Sequence, residues 1–330
     1  MPEGSALGSK LRFNNGLTGS RTPPGPVERL GRVSEKILFV APRMIGDAVM
    51  ACGILDHLAR TRPGARITVA AAPEAAGLFT HMPGLDRVIV VRKRQTHTHW
   101  LALWAAVVGT HWDMAVDLKG SGLPYAVLAR NRFMRRPMPG LRLYQQHAAL
   151  LGIDPAPLPV AWAGAAERAR AAALIPEGGP VVALCPTASW TPKMWPAERF
   201  AALFRRLAAG PLPGARAAVF GGPGARERAG AAPLLAALPD AVDLVGALTL
   251  PEVSACLARC ALAVSNDSGL MHLAAASGIP TLGLRAHFVD QAARVEPAGR
   301  AAGWILRGGD DMAAIGVAEA EDGCRRVLGL

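Results

Sequence analysis

The chain has 330 residues, 51% of them hydrophobic and 18% charged, enough apolar material for two domains of ordinary size. Its formal net charge of +11 lies entirely in the first half: residues 1–150 carry 20 Lys and Arg against 9 Asp and Glu, and residues 151–330 carry 16 of each. The longest apolar run, near Leu101 to Gly109, is too short to cross a bilayer. Dispersed basic residues, few aromatics and no recognised nucleic-acid module argue against a nucleic-acid partner.

Residues 1–34 are rich in Gly, Pro, Ser and Arg, show no apolar core and read as a flexible extension or an overlong start, with no signal peptide visible. Short apolar strands then alternate with helices. The first set has strands at 36–40, 66–71, 87–91 and 114–118 and helices at 48–60, 74–81, 100–109, 123–130 and 143–151. Ile153 to Pro159 (IDPAPLP) reads as a stiff linker. The second set has strands at 181–185, 217–220, 242–245, 262–265 and 281–284 and helices at 197–208, 225–237, 251–259 and 270–277, with a last helix at 312–328. This alternation predicts an α/β fold whose parallel sheets are covered on both faces, with domains at 35–160 and 161–330.

The five cysteines, Cys52, Cys185, Cys256, Cys260 and Cys324, are scattered through apolar segments. They read as core thiols in a reducing compartment, which predicts a cytoplasmic protein or one peripheral on a membrane. Cys256 and Cys260 have no matching Cys/His pair for zinc. His97 and His99 resemble a metal pair on a strand but lack a third ligand and read as polar surface.

Three motifs carry chemistry. The strand 36–40 leads into Ala41-Pro42-Arg43-Met44-Ile45-Gly46-Asp47. Gly46 permits a tight turn with room for a ligand, and Asp47 falls at the carboxyl edge of a sheet, where open α/β sheets bind ligands. Asp47 is a candidate general base, or only the cap of a helix beginning at Ala48. The strand 181–185 leads into PTASWTPKMWP, where Thr187, Ser189, Thr191 and Lys193 place three hydroxyls and an ammonium just before a helix, a set suited to a diphosphate. The strand 262–265 ends at Asn266-Asp267-Ser268-Gly269, before an alanine-rich helix. Asp267 or Ser268 is placed to cap that helix, and its first N–H groups form a ready anion site.

In this order and spacing, RMIGDAVM, PTASWTPKMWP and NDSGLMHLAAASGIP resemble glycosyltransferase family 9, the ADP-heptose:lipopolysaccharide heptosyltransferases. DLKGS, FGGPGARERA and GALTLPEVSACLARCALAVSND fit as well, so the resemblance runs from about Lys36 to Leu284. It implies the GT-B arrangement, two Rossmann-like domains with parallel sheets facing a central cleft. It implies inverting transfer of heptose, or a related sugar, from an ADP-activated donor to the lipopolysaccharide core, without a metal. Residues 35–160 would bind the acceptor and residues 161–330 the nucleotide sugar.

The resemblance makes Asp47 the base and Lys193 the residue that neutralises charge on the leaving diphosphate. Gly46, Thr187, Ala188, Ser189, Asp267, Ser268, Gly269 and His272 would line the substrate. His272 would donate to a phosphate or ribose, or simply pack. Glu227 would contact the nucleoside and Leu248 the adenine. The chain departs from the family pattern at Arg285-Ala286-His287-Phe288, which leaves the donor sugar open.

The basic half suggests an anionic glycolipid acceptor. Trp100, Trp104 and Trp112, with Arg92, Lys93, Arg94 and the basic residues of 130–136, form a membrane-facing patch or core tryptophans beside solvated arginines. Rival readings keep the fold but change the sugar or the acceptor (a protein included), or retain nucleotide binding without transfer. An NAD-dependent dehydrogenase is disfavoured because no strand is followed by G-x-G-x-x-G.

Overall fold

The computed structural model describes residues 34–93, 95, 98–286, 294–306 and 311–330. The expectations for residues 1–33, Arg94, His97, His287 and Phe288 lie outside these residues.

The first sheet contains β1 (Lys36–Val40), β2 (Arg66–Ala71), β3 (Leu85–Val90), β4 (Trp112–Asp117) and β5 (Ala129–Met134), all parallel, in the order β3-β2-β1-β4-β5. Its helices are α1 (Ile45–Thr61), α2 (Pro73–Ala76), α3 (Thr98–Val107) and α4 (Leu143–Leu150). The second sheet contains β6 (Val181–Cys185), β7 (Arg216–Gly221), β8 (Val242–Val245), β9 (Leu262–Asn266), β10 (Thr281–Arg285) and β11 (Ala302–Leu306). These too are parallel, in the order β11-β10-β9-β6-β7-β8. Its helices are α5 (Ala165–Leu174), α6 (Ala197–Ala209), α7 (Ala225–Ala237), α8 (Leu250–Leu257), α9 (Gly269–Ala276) and α10 (Val317–Leu328).

Central strands of a parallel sheet are buried on both faces and therefore read as unbroken apolar runs. Ile37, Leu38 and Phe39 of β1 and Val182 to Cys185 of β6 are fully buried. At about 1.5–3 kcal/mol for each large side chain removed from water, such strands carry much of the folding energy. One apolar cluster runs from Ile37 and Phe39 through Ala48, Cys52 and Leu55 of α1 to Leu273 and Ala274 of α9, joining the two α/β domains.

The segment Ile153 to Pro159 is more than a linker. Its carbonyls lie across α1: a Cβ on Gly53 would sit 2.6 Å from both Pro157 O and Leu158 O. A little further on, the Ala161 N–H donates to the Ala276 carbonyl.

The helix expected at 123–130 is absent. Asp117 accepts from the N–H groups of Lys119, Gly120, Ser121 and Gly122 and from Ser121 Oγ, and Gly120 and Gly122 both take φ near +80°. This winds the chain into a tight turn ending in one 3-10 turn, Leu123–Tyr125. The charged stretch ARNRFM then pairs beside β4 as the edge strand β5.

The strand β11 and the helix α5 lie where no element was predicted, and β5 begins within the helix expected at 123–130. The helix expected at 74–81 shortens to α2 followed by a 3-10 turn, and the last helix starts at Val317 after a separate 3-10 turn at Met312–Ala314. Trp112 belongs to the core, 2% exposed, so the surface patch of three tryptophans does not form; Trp104 stays 38% exposed and Trp100 is half-buried. His99 is buried within α3, beside the Trp100 ring, and is neither on a strand nor polar surface. All five cysteines are buried free thiols, and burial pushes Cys185 up to about 12.

Candidate active site

In an open α/β sheet the ligand crevice lies at the carboxyl ends of the strands, where the strand order reverses. The first sheet reverses between β1 and β4, the second between β6 and β9. The Gly46-Asp47 motif follows β1. The Thr187 to Lys193 loop follows β6, and Asp267 to Gly269 follows β9. All three motifs therefore stand at switch points.

At the second crevice Lys193 lies in a 3-10 turn, Thr191–Lys193, and donates from Nζ to Asp267 Oδ2 at 3.0 Å. Arg285, at the end of β10, donates from Nη1 to the same oxygen at 2.8 Å. The two loops are pinned by Asn266, which is fully buried. Its Nδ2 donates to the Pro186 carbonyl at 2.6 Å, and its Oδ1 accepts from the Trp195 N–H at 3.0 Å. Ser268 is the N-cap of α9 in extended conformation, yet no side chain caps the helix. The expected capping by Asp267 or Ser268 is not seen: Asp267 is engaged by the two cations. The first-turn amides of α9 and its dipole thus remain available for an anion.

The first crevice meets the second where the N-termini of α1 and α9 touch. A Cβ on Gly46 would lie 2.7 Å from His272 Cδ2, and one on Gly269 would lie 3.0 Å from Ile45 Cγ2. Both glycines serve close approach of two helices. Gly46 lies inside α1, which begins at Ile45, three residues earlier than expected, because Met44 takes the extended N-cap conformation. Asp47 accordingly sits in the first helical turn and not ahead of it, and it is not the cap of a helix starting at Ala48.

His272 is 8% exposed, and its Nδ1 has no hydrogen-bond partner among the described residues. Burial holds its pKa below the ordinary histidine value; Asp267 and Asp47 pull the other way, and Arg285 adds to the depression. One ring nitrogen is thus left unsatisfied among the described residues, and burial favours the uncharged ring.

Thr187 and Ala188 are buried at the base of the loop after β6, with Thr187 near Gly230 of α7. Ser189 is exposed, and its carbonyl accepts from Arg226. Glu227 is half-buried and accepts from the Gly222 N–H at 3.1 Å. Leu248 is half-buried beyond β8 and packs on the main core. Glu227 and Leu248 thus extend the second crevice along the ends of β7 and β8.

Two sets of residues went unassigned. Asn266 and Arg285 organise Asp267; the sequence signal was a polar pair closing β9 and a basic residue closing the apolar run of β10. In the first crevice Arg43 and Lys119 line one small pocket together with Trp100, and Lys119 Nζ sits 4.4 Å from the Trp100 ring centroid. Burial first, then the like charges of Arg43 and Lys93, lower the Lys119 pKa, against the opposing pull of Asp117. No group of three or more His, Cys, Asp or Glu side chains placed to hold a metal ion occurs among the described residues.

Two parallel-sheet α/β domains with motifs at both switch points form the GT-B fold. The model of glycosyltransferase family 9 (heptosyltransferase) matches residues 103–291, and the chain belongs to that family. It is 26% identical over 300 residues to lipooligosaccharide heptosyltransferase 2 of Haemophilus influenzae, covering 75% of this chain and 82% of that one. Its fold is similar to that of E. coli ADP-heptose lipopolysaccharide heptosyltransferase II, with a TM-score of 0.71, 20% identity and coverage of 89% and 98%. It is also similar to an E. coli heptosyltransferase solved with ADP, with a TM-score of 0.69, 16% identity and coverage of 88% and 99%.

Proposed function

We propose that the enzyme transfers heptose, or a closely related sugar, from an ADP-activated donor to an anionic glycolipid of the lipopolysaccharide core, with inversion at the anomeric carbon. The observation that carries this reading is the close approach of Gly46, next to Asp47 at the start of α1, to His272 of α9, on the helix that follows the Lys193–Asp267 pair. The donor's diphosphate would lie on the amides of α9 beside Lys193, with Thr187, Ala188, Ser189, Asp267, Ser268, Gly269 and His272 around it. Glu227 and Leu248 would take the nucleoside. Residues 161–330 would form the donor domain and residues 35–160 the acceptor domain.

Asp47 would accept the proton of the acceptor hydroxyl as its oxygen attacks from the face opposite the leaving group. One carboxylate suffices for a single inverting displacement. Lys193 and the helix amides would balance charge developing on the diphosphate as the glycosidic bond breaks. Arg43 and Lys119 at the first crevice favour an anionic acceptor. The H. influenzae and E. coli relatives support the choice of donor and acceptor class. Such an acceptor would place the enzyme in the cytoplasm, in peripheral contact with the inner membrane.

The test is nucleotide release from a panel of ADP- and UDP-sugars with and without lipopolysaccharide core precursors. The expected result is acceptor-dependent ADP release from ADP-heptose. Release of UDP from a UDP-sugar, or no acceptor-dependent release at all, would overturn the proposal.

A further inference from the structure

We propose that Arg285 is a positioning residue of the donor site: by holding Asp267 permanently, it frees Lys193 to move onto the donor's diphosphate. This rests on the reading above that a nucleoside diphosphate binds at the N-terminus of α9.

Asp267 Oδ2 accepts from two cations, Arg285 at 2.8 Å and Lys193 at 3.0 Å. The two cations are held differently. The Arg285 side chain is 6% exposed, stands at the end of a buried strand, and lies with its guanidinium 5.7 Å from the Trp304 ring centroid. The Lys193 side chain is 21% exposed and sits on a short 3-10 turn in a loop. A buried guanidinium stays charged and is strongly penalised without its counter-ion. A partly exposed ammonium on a flexible stem exchanges partners at small cost. Arg285–Asp267 is therefore the fixed pair and Lys193 the exchangeable partner.

Without Arg285, Lys193 would be the counter-ion of Asp267 that these two bonds leave in place. A diphosphate arriving at α9 would then either compete for Lys193 or face the bare carboxylate. With Arg285 present, Asp267 remains neutralised after Lys193 turns to the phosphate. The residue thus acts through Asp267.

The test is ADP affinity by calorimetry on the full chain, with thermal unfolding recorded for each variant. R285Q should weaken ADP binding at least tenfold. R285K keeps the charge and should stay within threefold of the parent. Removing the carboxylate removes the reason for Arg285, so D267N/R285Q should bind ADP within threefold of D267N alone. That rescue would not occur if Arg285 only supported the fold. If R285Q alone does not fold, R285K and the D267N pair carry the test. R285Q affinity within twofold of the parent, R285K as weak as R285Q, or a tenfold loss on adding R285Q to D267N would each overturn the inference. K193A separates the two readings: unchanged ADP affinity in K193A removes the donor-site reading itself, whereas a loss in K193A with none in R285Q removes only the role of Arg285.

Discussion

The crevice between β1 and β4 and the crevice between β6 and β9 occupy the same place in two similar sheets, yet their charges are arranged in opposite ways. In the first, the Asp117 carboxylate is consumed by four backbone amides and a hydroxyl, while Lys119 and Arg43 line the same pocket beside Trp100. In the second, the carboxylate of Asp267 is shared by two cations, and the buried Asn266 fixes the loops around it. A surplus of partly exposed positive charge suits a large anionic partner that docks from outside, because it acts at range and yields to salt. Cations gathered on one shared carboxylate suit a small anion that must be held at one geometry. On the proposed reading, the shared fold would supply two sites, with local charge pairing dividing the labour between them.

The largest expected effect tests whether the first crevice also supplies the chemistry. Asp47→Asn should lower kcat by roughly 10² or more, the scale for loss of a general base, with ADP affinity within about twofold by calorimetry. Turnover close to that of the parent would remove Asp47 from the role.

The buried histidines extend the comparison to pH. His147 lies behind the first crevice, its Nδ1 3.4 Å from the Met50 carbonyl on α1, and burial lowers its pKa to about 4. His272 is lowered for the same reason. A histidine whose folded pKa is depressed binds fewer protons folded than unfolded, so stability is lost as pH falls through the unfolded value near 6.5 toward the folded one. His147 alone should remove about 3 kcal/mol between pH 7 and pH 4. His147→Gln should flatten that slope in denaturant titrations between pH 6.5 and 5, where carboxylates contribute little. An unchanged slope would show that His147 does not titrate in this way.

Lys193→Ala tests the second crevice and should weaken ADP binding by about 1–3 kcal/mol while leaving the acceptor KM alone. Gly46→Ala tests the seam between the crevices. Its methyl group would meet the His272 ring at 2.7 Å. Overpacking there should cost about 1–3 kcal/mol of stability by chemical denaturation, and less when His272 is also replaced by Ala.

The smallest effect concerns the acceptor. Its KM should rise a few-fold between low and physiological salt, as exposed charges are screened within about 10 Å at 0.1 M. The KM for ADP-heptose should rise less. Lys119→Glu should worsen acceptor use without changing ADP affinity. Equal salt sensitivity for donor and acceptor would erase the distinction between the two crevices.

Much of this molecule was determined by sequence alone. Runs such as KILFV and VVALC have the length and apolar content of central parallel strands, and their bounds match the structure residue for residue. The motifs after β1, β6 and β9 were legible because a small or polar cluster ending an apolar run marks a strand's carboxyl edge. Other features depend on neighbours far away in the chain. The stretch ARNRFM has no apolar alternation and becomes a strand only because β4 offers an open edge. The α5 sequence AAERARAAAL buries only Ala171, too thin a stripe to announce a helix. Gly46 looks like a turn residue until His272, more than 200 positions later, is found against it. Arg285 reads as a mere departure from its family until Asp267 and Trp304 come within reach. Local pattern reports how much of a segment is buried. Which partner buries it, and which charge answers which, is decided only when the two sheets bring their edges together.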